Sequence, residues 1–168
     1  MKIVFFTFYY PPDLSAGSFR SIALAKALSS KMEEGDELDV ITTHPNRYAN
    51  LRVVADDLEV DGKITVHRIA VPVHQSGMLS QARSFAVYAV SAYSLSRRIN
   101  PNFLIGTTGR LMTGMLTGIT AYTLSIRYFI DLRDIFSETI SDLFSRKNRL
   151  LGLIAKKLFS FIDHRLLS

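Results

Sequence analysis

From Ile3 to Phe8 the chain is almost unbroken in apolar residues, the pattern of a strand covered on both faces in a parallel sheet. Ile22, Leu24, Ala25 and Leu28 then return at helical spacing, and Ser18 stands where it can cap that helix. A second strand is predicted over Glu37 to Thr43, after the turn residues Glu34, Gly35 and Asp36. In LEVDGKITVHRI two strand-like runs flank Asp61-Gly62, a strong hairpin signal. Met78 to Ile99 reads as a long helix that closes on Arg97-Arg98 and stops at Asn100-Pro101. Asn102 to Thr107 is a further strand, Leu111 to Thr123 a helix, and Ser125 to Asp131 a strand. A last helix is expected from Arg149 to Asp163, with Leu150, Leu151, Ile154, Leu158, Phe161 and Ile162 on one side.

This alternation predicts an α/β fold: a Rossmann-like, doubly wound, mostly parallel sheet with one inserted hairpin. Ligands of such sheets gather at the carboxyl ends of the strands. The loops that matter are therefore 9–17, 43–50, 107–110 and 131–142.

Composition sharpens the picture in three ways. At 168 residues and 48% apolar content the chain is expected to be one domain, residues 1–168, with a real core. It has no cysteine, which excludes disulfides, thiolate metal sites and a cysteine nucleophile. Its net charge of +5 is local, because Arg146, Lys147, Arg149, Lys156, Lys157 and Arg165 face only Asp163 in the last stretch. Nucleic acid is not the expected partner of that segment, since Phe159 and Phe161 fall on a packing stripe rather than between the charges. The N-terminal run is a strand rather than a signal peptide, because Pro11, Pro12 and Asp13 interrupt it before any cleavage site. Leu111 to Ile126 is too short and too polar to span a bilayer.

Candidate chemistry begins in FYYPPDLSAGSFRS, residues 8 to 21, a strand-to-helix turn. Gly17 lets the backbone approach a ligand, and a helix start favours an anion. Only one glycine stands where a dinucleotide fingerprint needs three, and the G-K-[ST] of a P-loop is missing. There is no G-x-S-x-G elbow either. Of the histidines, His67 lies mid-strand and reads as structural, and His164 falls at the end of the last helix. His44 follows the second strand at a ligand-facing end or is an ordinary loop residue, and His74 adjoins a loop. No pair has metal-ligand spacing, so no metal is expected.

KIVFFTFYYPPDLSAGSFRSIALAKAL resembles the start of family-four glycosyltransferases of the GT-B type. PNFLIGTTGRLMTGMLTGITAYTLSIRYFIDLRDIFSETI is similar to a branch of that family that builds bacterial surface polysaccharides, including capsule and lipopolysaccharide. There a strand, a Ser/Thr-rich loop and a helix precede a signature of the type D-[LV]-R-D-x-[WF]-P-E. The resemblance spans nearly the whole chain. It implies the N-terminal, acceptor-side half of a two-domain enzyme, whose C-terminal nucleotide-sugar domain with a Glu-x7-Glu motif is absent from this chain. It also implies transfer from a nucleotide sugar, with UDP or GDP left open, to a saccharide acceptor on a polyprenyl lipid, without a metal or other cofactor. This half alone is expected to be inactive.

Carried over by position, Gly17 matches a loop glycine near the donor diphosphate, with Ser18 and Arg20 beside it; Ala16 replaces a second glycine of relatives. Arg20 either helps hold a phosphate or is a solvated first-turn arginine. In DLRDIFSE, Asp134 and Glu138 are the candidate catalytic carboxylates, as base or orienting group, and Arg133 is a substrate contact. The alternative is a salt-bridged loop, and Ser137 replaces a usual proline. Thr108, Arg110 and His44 complete the substrate-binding candidates. Where relatives carry a histidine after the fourth parallel strand, this chain has GTTGRL, so the base stays unassigned.

The resemblance also implies a cytoplasmic protein, peripheral at the inner face of the plasma membrane. Met78 to Ile99 is apolar over much of its circumference, apart from Arg83, and the last helix is basic and amphipathic. Both helices either meet the cytoplasmic leaflet or simply pack on the sheet. A non-catalytic α/β binding module is the competing reading of the chain.

Overall fold

The computed structural model describes residues 1–45, 54–72, 78–109 and 111–133. The chain falls into two compact units, Met1–Asp131 and Leu132–Ser168, and only Leu132 and Arg133 of the second are among the described residues. The expected last helix, His74, Arg110, Asp134, Glu138 and His164 lie outside them.

The elements follow in the expected order: β1 Lys2–Phe6, α1 Ala16–Ser29, β2 Glu37–Thr43, β3 Leu58–Asp61, β4 Ile64–Ile69, α2 Met78–Ile99, β5 Phe103–Thr107, α3 Leu111–Leu124 and β6 Arg127–Asp131. They build one six-stranded sheet in the order β3-β4-β2-β1-β5-β6. Every neighbouring pair is parallel except β3 and β4, the hairpin, whose turn carries Gly62 at φ 61°. That positive φ requires a glycine or an equivalent residue, which is why the Asp-Gly signal was informative.

β1 sits at the centre, paired with β2 on one side and β5 on the other, which explains its continuous apolar run. Alternate residues of the strands enter opposite cores. Ile3, Phe5, Leu38, Val40, Ile64, Val66 and Ile105 pack with Ala25 of α1, and Val4, Phe6, Ile41 and Leu104 pack with Phe85, Tyr88 and Ala92 of α2 and Leu116 of α3. Each fully buried aliphatic or aromatic side chain contributes about 1.5–3 kcal/mol. The chain runs outward from β1 through β2 and β4, returns through α2 to β5, and continues to β6. The direction therefore reverses between β1 and β5, where a doubly wound sheet opens a crevice.

Two packing details fix this architecture. An added Cβ on Gly106 would overlap the Thr117 side chain, lying 2.9 Å from its Cβ, so α3 rests directly on β5. The fully buried Tyr88 places its hydroxyl 2.8 Å from the Ile41 carbonyl and 3.1 Å from the Thr7 carbonyl, at the ends of β2 and β1. Burial pushes its phenol far up from the ordinary value.

Candidate functional site at the carboxyl ends of β1, β5 and β6

β1 is shorter than its apolar run, because Phe8 and Tyr10 leave the ladder and enter opposite cores. The loop between them and α1 contains Pro11 and Pro12, which lack backbone donors. Four consecutive carbonyls in this loop each meet a donor. The Thr43 hydroxyl donates to the Phe8 carbonyl at 2.7 Å, with Thr42 at 3.3 Å. Thr7 donates to the Tyr9 carbonyl at 3.0 Å, and the Asp13 amide to the Tyr10 carbonyl at 3.0 Å. The Pro11 carbonyl accepts from Arg68 Nη2 at 2.8 Å. The loop is thus held by its acceptors, as buried backbone requires.

Arg68 is the charged donor among those that hold the loop. On β4 it takes the third inward place after Ile64 and Val66, and its side chain is only 2% exposed. Nη1 donates to the Asp56 carbonyl at 3.0 Å, and Nη2 also reaches Glu59 Oε2 at 2.6 Å. Nearby, burial first and then the charges of Glu59 and Asp61 push the Tyr10 phenol up to about 12.

α1 opens differently from the sequence expectation. Its cap is Ser15, in extended backbone, whose hydroxyl accepts the Ser18 amide at 3.1 Å. Ser18 is therefore the capped residue and not the cap, because Ala16 and Gly17 already belong to the first turn. Gly17 is helical as well; the glycines at positive φ among the described residues are Gly35 and Gly62. The Gly17 carbonyl accepts the Ser21 hydroxyl at 2.8 Å, and Ser21 lies 2.8 Å from the Thr7 hydroxyl. This pair fastens the first turn of α1 to the end of β1. The fully buried Ser18 hydroxyl has no hydrogen-bond partner among the described residues.

Arg20, one turn into α1, reaches across to the end of β6. Its Nη2 lies 2.6 Å from Asp131 Oδ1 and its Nε 3.1 Å from Oδ2, a two-point pair. Hydrogen bonding to Asp131, and then its charge, hold the guanidinium above its ordinary pKa. Thr107, opposite Asp131 in the β5–β6 register, donates to Oδ2 at 3.4 Å. The Thr108 amide donates to the Asp131 carbonyl at 3.0 Å. Arg20 is half-exposed, and its Nη1 makes no hydrogen bond among the described residues.

Arg20 and Thr108 therefore both reach Asp131, while Gly17 and Ser18 lie in the first turn of α1, just before Arg20. His44 lies instead at the end of β2, with Nε2 2.7 Å from Asp57 Oδ1. His67 pairs with Asp39 at 2.7 Å and bridges β4 and β2, in keeping with its structural reading. Arg133 follows β6 directly and belongs to the second unit. Thr7, Ser21 and Arg68 were not among the expected site residues, and Asp131 was expected only as one carboxylate of the DLRDIFSE stretch, without a partner. For Asp131 the signal was its place at a strand's carboxyl end; for Arg68 it was an arginine in an inward register. Among the described residues no cluster of three metal-ligating side chains occurs.

No protein-family model matches the chain, and no curated protein sequence matches it.

Proposed function

We propose that the chain is the acceptor-side domain of a nucleotide-sugar-dependent glycosyltransferase acting in surface-polysaccharide assembly, working with a second Rossmann-like domain that holds the donor. The observation that carries this reading is the Arg20–Asp131 pair at the mouth of the β1–β5 crevice, beside the start of α1. Asp131 orients the guanidinium, and its open Nη1 edge faces outward for a phosphate oxygen. In transfer, an acceptor hydroxyl attacks the anomeric carbon of the donor, the bond to the diphosphate breaks, and the nucleoside diphosphate leaves. Positive charge held at the diphosphate favours that step. Thr108, His44, Arg110 and Arg133 contribute to acceptor binding, and Asp134 or Glu138 takes the acceptor proton.

The competing reading, a non-catalytic α/β binding module, draws on the same pair. Two of Arg20's donors are occupied by Asp131, so the pair also serves as a plain tie between α1 and β6.

A transfer assay separates the two. A full-length protein that includes this chain, given labelled UDP- and GDP-sugars and a polyprenyl-diphosphate saccharide, moves label to lipid. Arg20→Ala lowers the rate roughly 10- to 100-fold, as expected for a charged contact to phosphate, and Asp134→Ala or Glu138→Ala depresses it without unfolding the protein. No transfer from any nucleotide sugar, or an Arg20→Ala rate equal to the parent, overturns the reading.

A further inference from the structure

Neither Pro11 nor Pro12 has an amide to donate, so the middle of the loop between β1 and α1 is fastened through its carbonyls. At the β1 end the fastening comes from strand ends close by, with Thr42 and Thr43 on the Phe8 carbonyl and Thr7 on the Tyr9 carbonyl. At the other end Ser15 caps α1, and the Thr7, Ser21 and Gly17 chain of contacts clasps its first turn. Between these anchors the Pro11 carbonyl is taken by Arg68. That residue belongs to β4, and β2 separates β4 from β1. The guanidinium is itself held by the hairpin, through the Asp56 carbonyl and Glu59, and the Arg68 amide donates to the Asp57 carbonyl at 2.8 Å. Its Nε is buried without a hydrogen-bond partner among the described residues. Burying a guanidinium is costly, and a lone carbonyl needs only a neutral donor. What arginine adds here is a planar fork that ties hairpin and loop in one fixed geometry.

We propose that Arg68 is a positioning residue for anion binding at the start of α1. Through the Pro11 carbonyl it sets where the loop delivers the first turn of α1, and so where Arg20 stands when it meets a phosphate. Arg68 does not touch the anion. From Pro11 the chain runs through the Ser15 cap into the turn that carries Arg20, so a shift at Pro11 passes along covalent backbone rather than through loose packing. Arg20 is sensitive to such a shift because its two-point pair with Asp131 fixes both distance and plane. The β3–β4 hairpin thereby becomes part of the site without lining it. The inference rests on the reading that Arg20 meets a phosphate, and it is tested without any sugar transfer.

The experiment titrates the full chain with pyrophosphate by calorimetry and follows the Arg20 Nε–H resonance of the ligand-free protein by NMR. Arg68→Met is expected to weaken pyrophosphate binding roughly ten-fold, within the span of couplings measured inside one hydrogen-bonded network. In the same variant the Arg20 Nε–H signal, set in the parent by Asp131 Oδ2 at 3.1 Å, moves and exchanges faster with solvent. Arg68→Lys keeps the charge without the fork, gives both changes in smaller measure, and stands in should Arg68→Met fail to fold. Ile64→Val, a buried truncation on the same strand, lowers stability and leaves both readouts at the parent's values. The proposal is overturned if the parent does not bind pyrophosphate, or if affinity is unchanged in both Arg68 variants. It is equally overturned by an Arg20 Nε–H signal that stays in place, which would make Arg68 a distant charge, or by the same changes in Ile64→Val, which would make it a structural residue only. Weakened pyrophosphate binding in a protein that transfers no sugar upholds this inference and removes the transferase reading.

Discussion

The two sides of the sheet treat charge in opposite ways. On the β2–β4–β3 side carboxylates are frequent, and several have a specific cationic or imidazole partner: Asp39 with His67, Asp57 with His44, Glu59 with Arg68. On the β5–β6 side, with α2 and α3, the interior polar groups are almost all hydroxyls. Thr107, Thr108, Thr113, Thr117 and Thr120 are buried there, and Thr117 donates to the Thr113 carbonyl at 2.8 Å. Thr117 bonds back to its own helix, and an uncharged hydroxyl needs no counter-charge in the interior. The first side uses ion pairs to fix a loop; the second uses small side chains to fix a close helix. Asp131 stands at the border and is claimed by both, by Arg20 from α1 and Thr107 from β5.

The strongest way to break the first side is to remove Arg68. Arg68→Ala leaves the Pro11 and Asp56 carbonyls without their donor and opens a buried space, and is expected to lower unfolding free energy in urea by about 1–3 kcal/mol for each carbonyl. Arg68→Met fills the space without restoring the donors and loses less. A result of no change would mean that the loop is not held by its carbonyls. On the second side, Gly106→Ala forces α3 away from β5, because Thr117 Cβ is fixed by the helix and no rotamer relieves the contact. The expected loss is about 1–3 kcal/mol, and Gly106→Ala with Thr117→Ala recovers part of it. Tyr88→Phe keeps the packing and removes the hydroxyl shared by the ends of β1 and β2, for about 1 kcal/mol.

Tyr10 tests the acid-rich side through pH. Its phenol stays protonated in the fold up to about 12, while in the unfolded chain it loses its proton near 10. Above pH 10 the unfolded state therefore binds fewer protons, and stability falls as pH rises toward 12; below 10 the contribution is intact. Tyr10→Phe flattens this alkaline limb in thermal melts recorded across that window. The smallest expected effect is that of Arg20→Ala on Tm. The arginine is half-exposed and its pair contributes little to stability, so a melting temperature near the parent's together with lost transfer marks the pair as functional.

Much of this arrangement was legible in the sequence. β2 and α2 have the expected bounds because each is framed by strong signals, the Gly35 turn and the Asn100-Pro101 stop. β1 ended early because apolar character alone does not separate a ladder residue from one that turns into a core, and Phe8 and Tyr10 do the latter. The cap was misplaced by three residues: Ser15 and Ser18 are both plausible caps, and spacing does not decide whether Ala16-Gly17 start the helix. Arg20 was legible as a candidate, but its partner was not. A contact between residues 20 and 131 depends on β5 lying between β1 and β6, a fact of topology rather than of pattern. Asp134, Glu138 and Arg110 stand outside the described residues and keep their place in the proposal alone.

The strand order has a consequence for how this sheet can grow. At one end β3 is four residues long, exposed throughout, and carries Glu59 and Asp61, the kind of short, charged border that discourages a neighbour from pairing. At the other end β6 places Tyr128 and Phe129 between Arg127 and Asp131, with a parallel partner on one side. Among the described residues β6 is therefore the edge more open to pairing with a stray copy during refolding, and β3 the less. Charge placed at Tyr128 is the economical way to keep the isolated chain from polymerising.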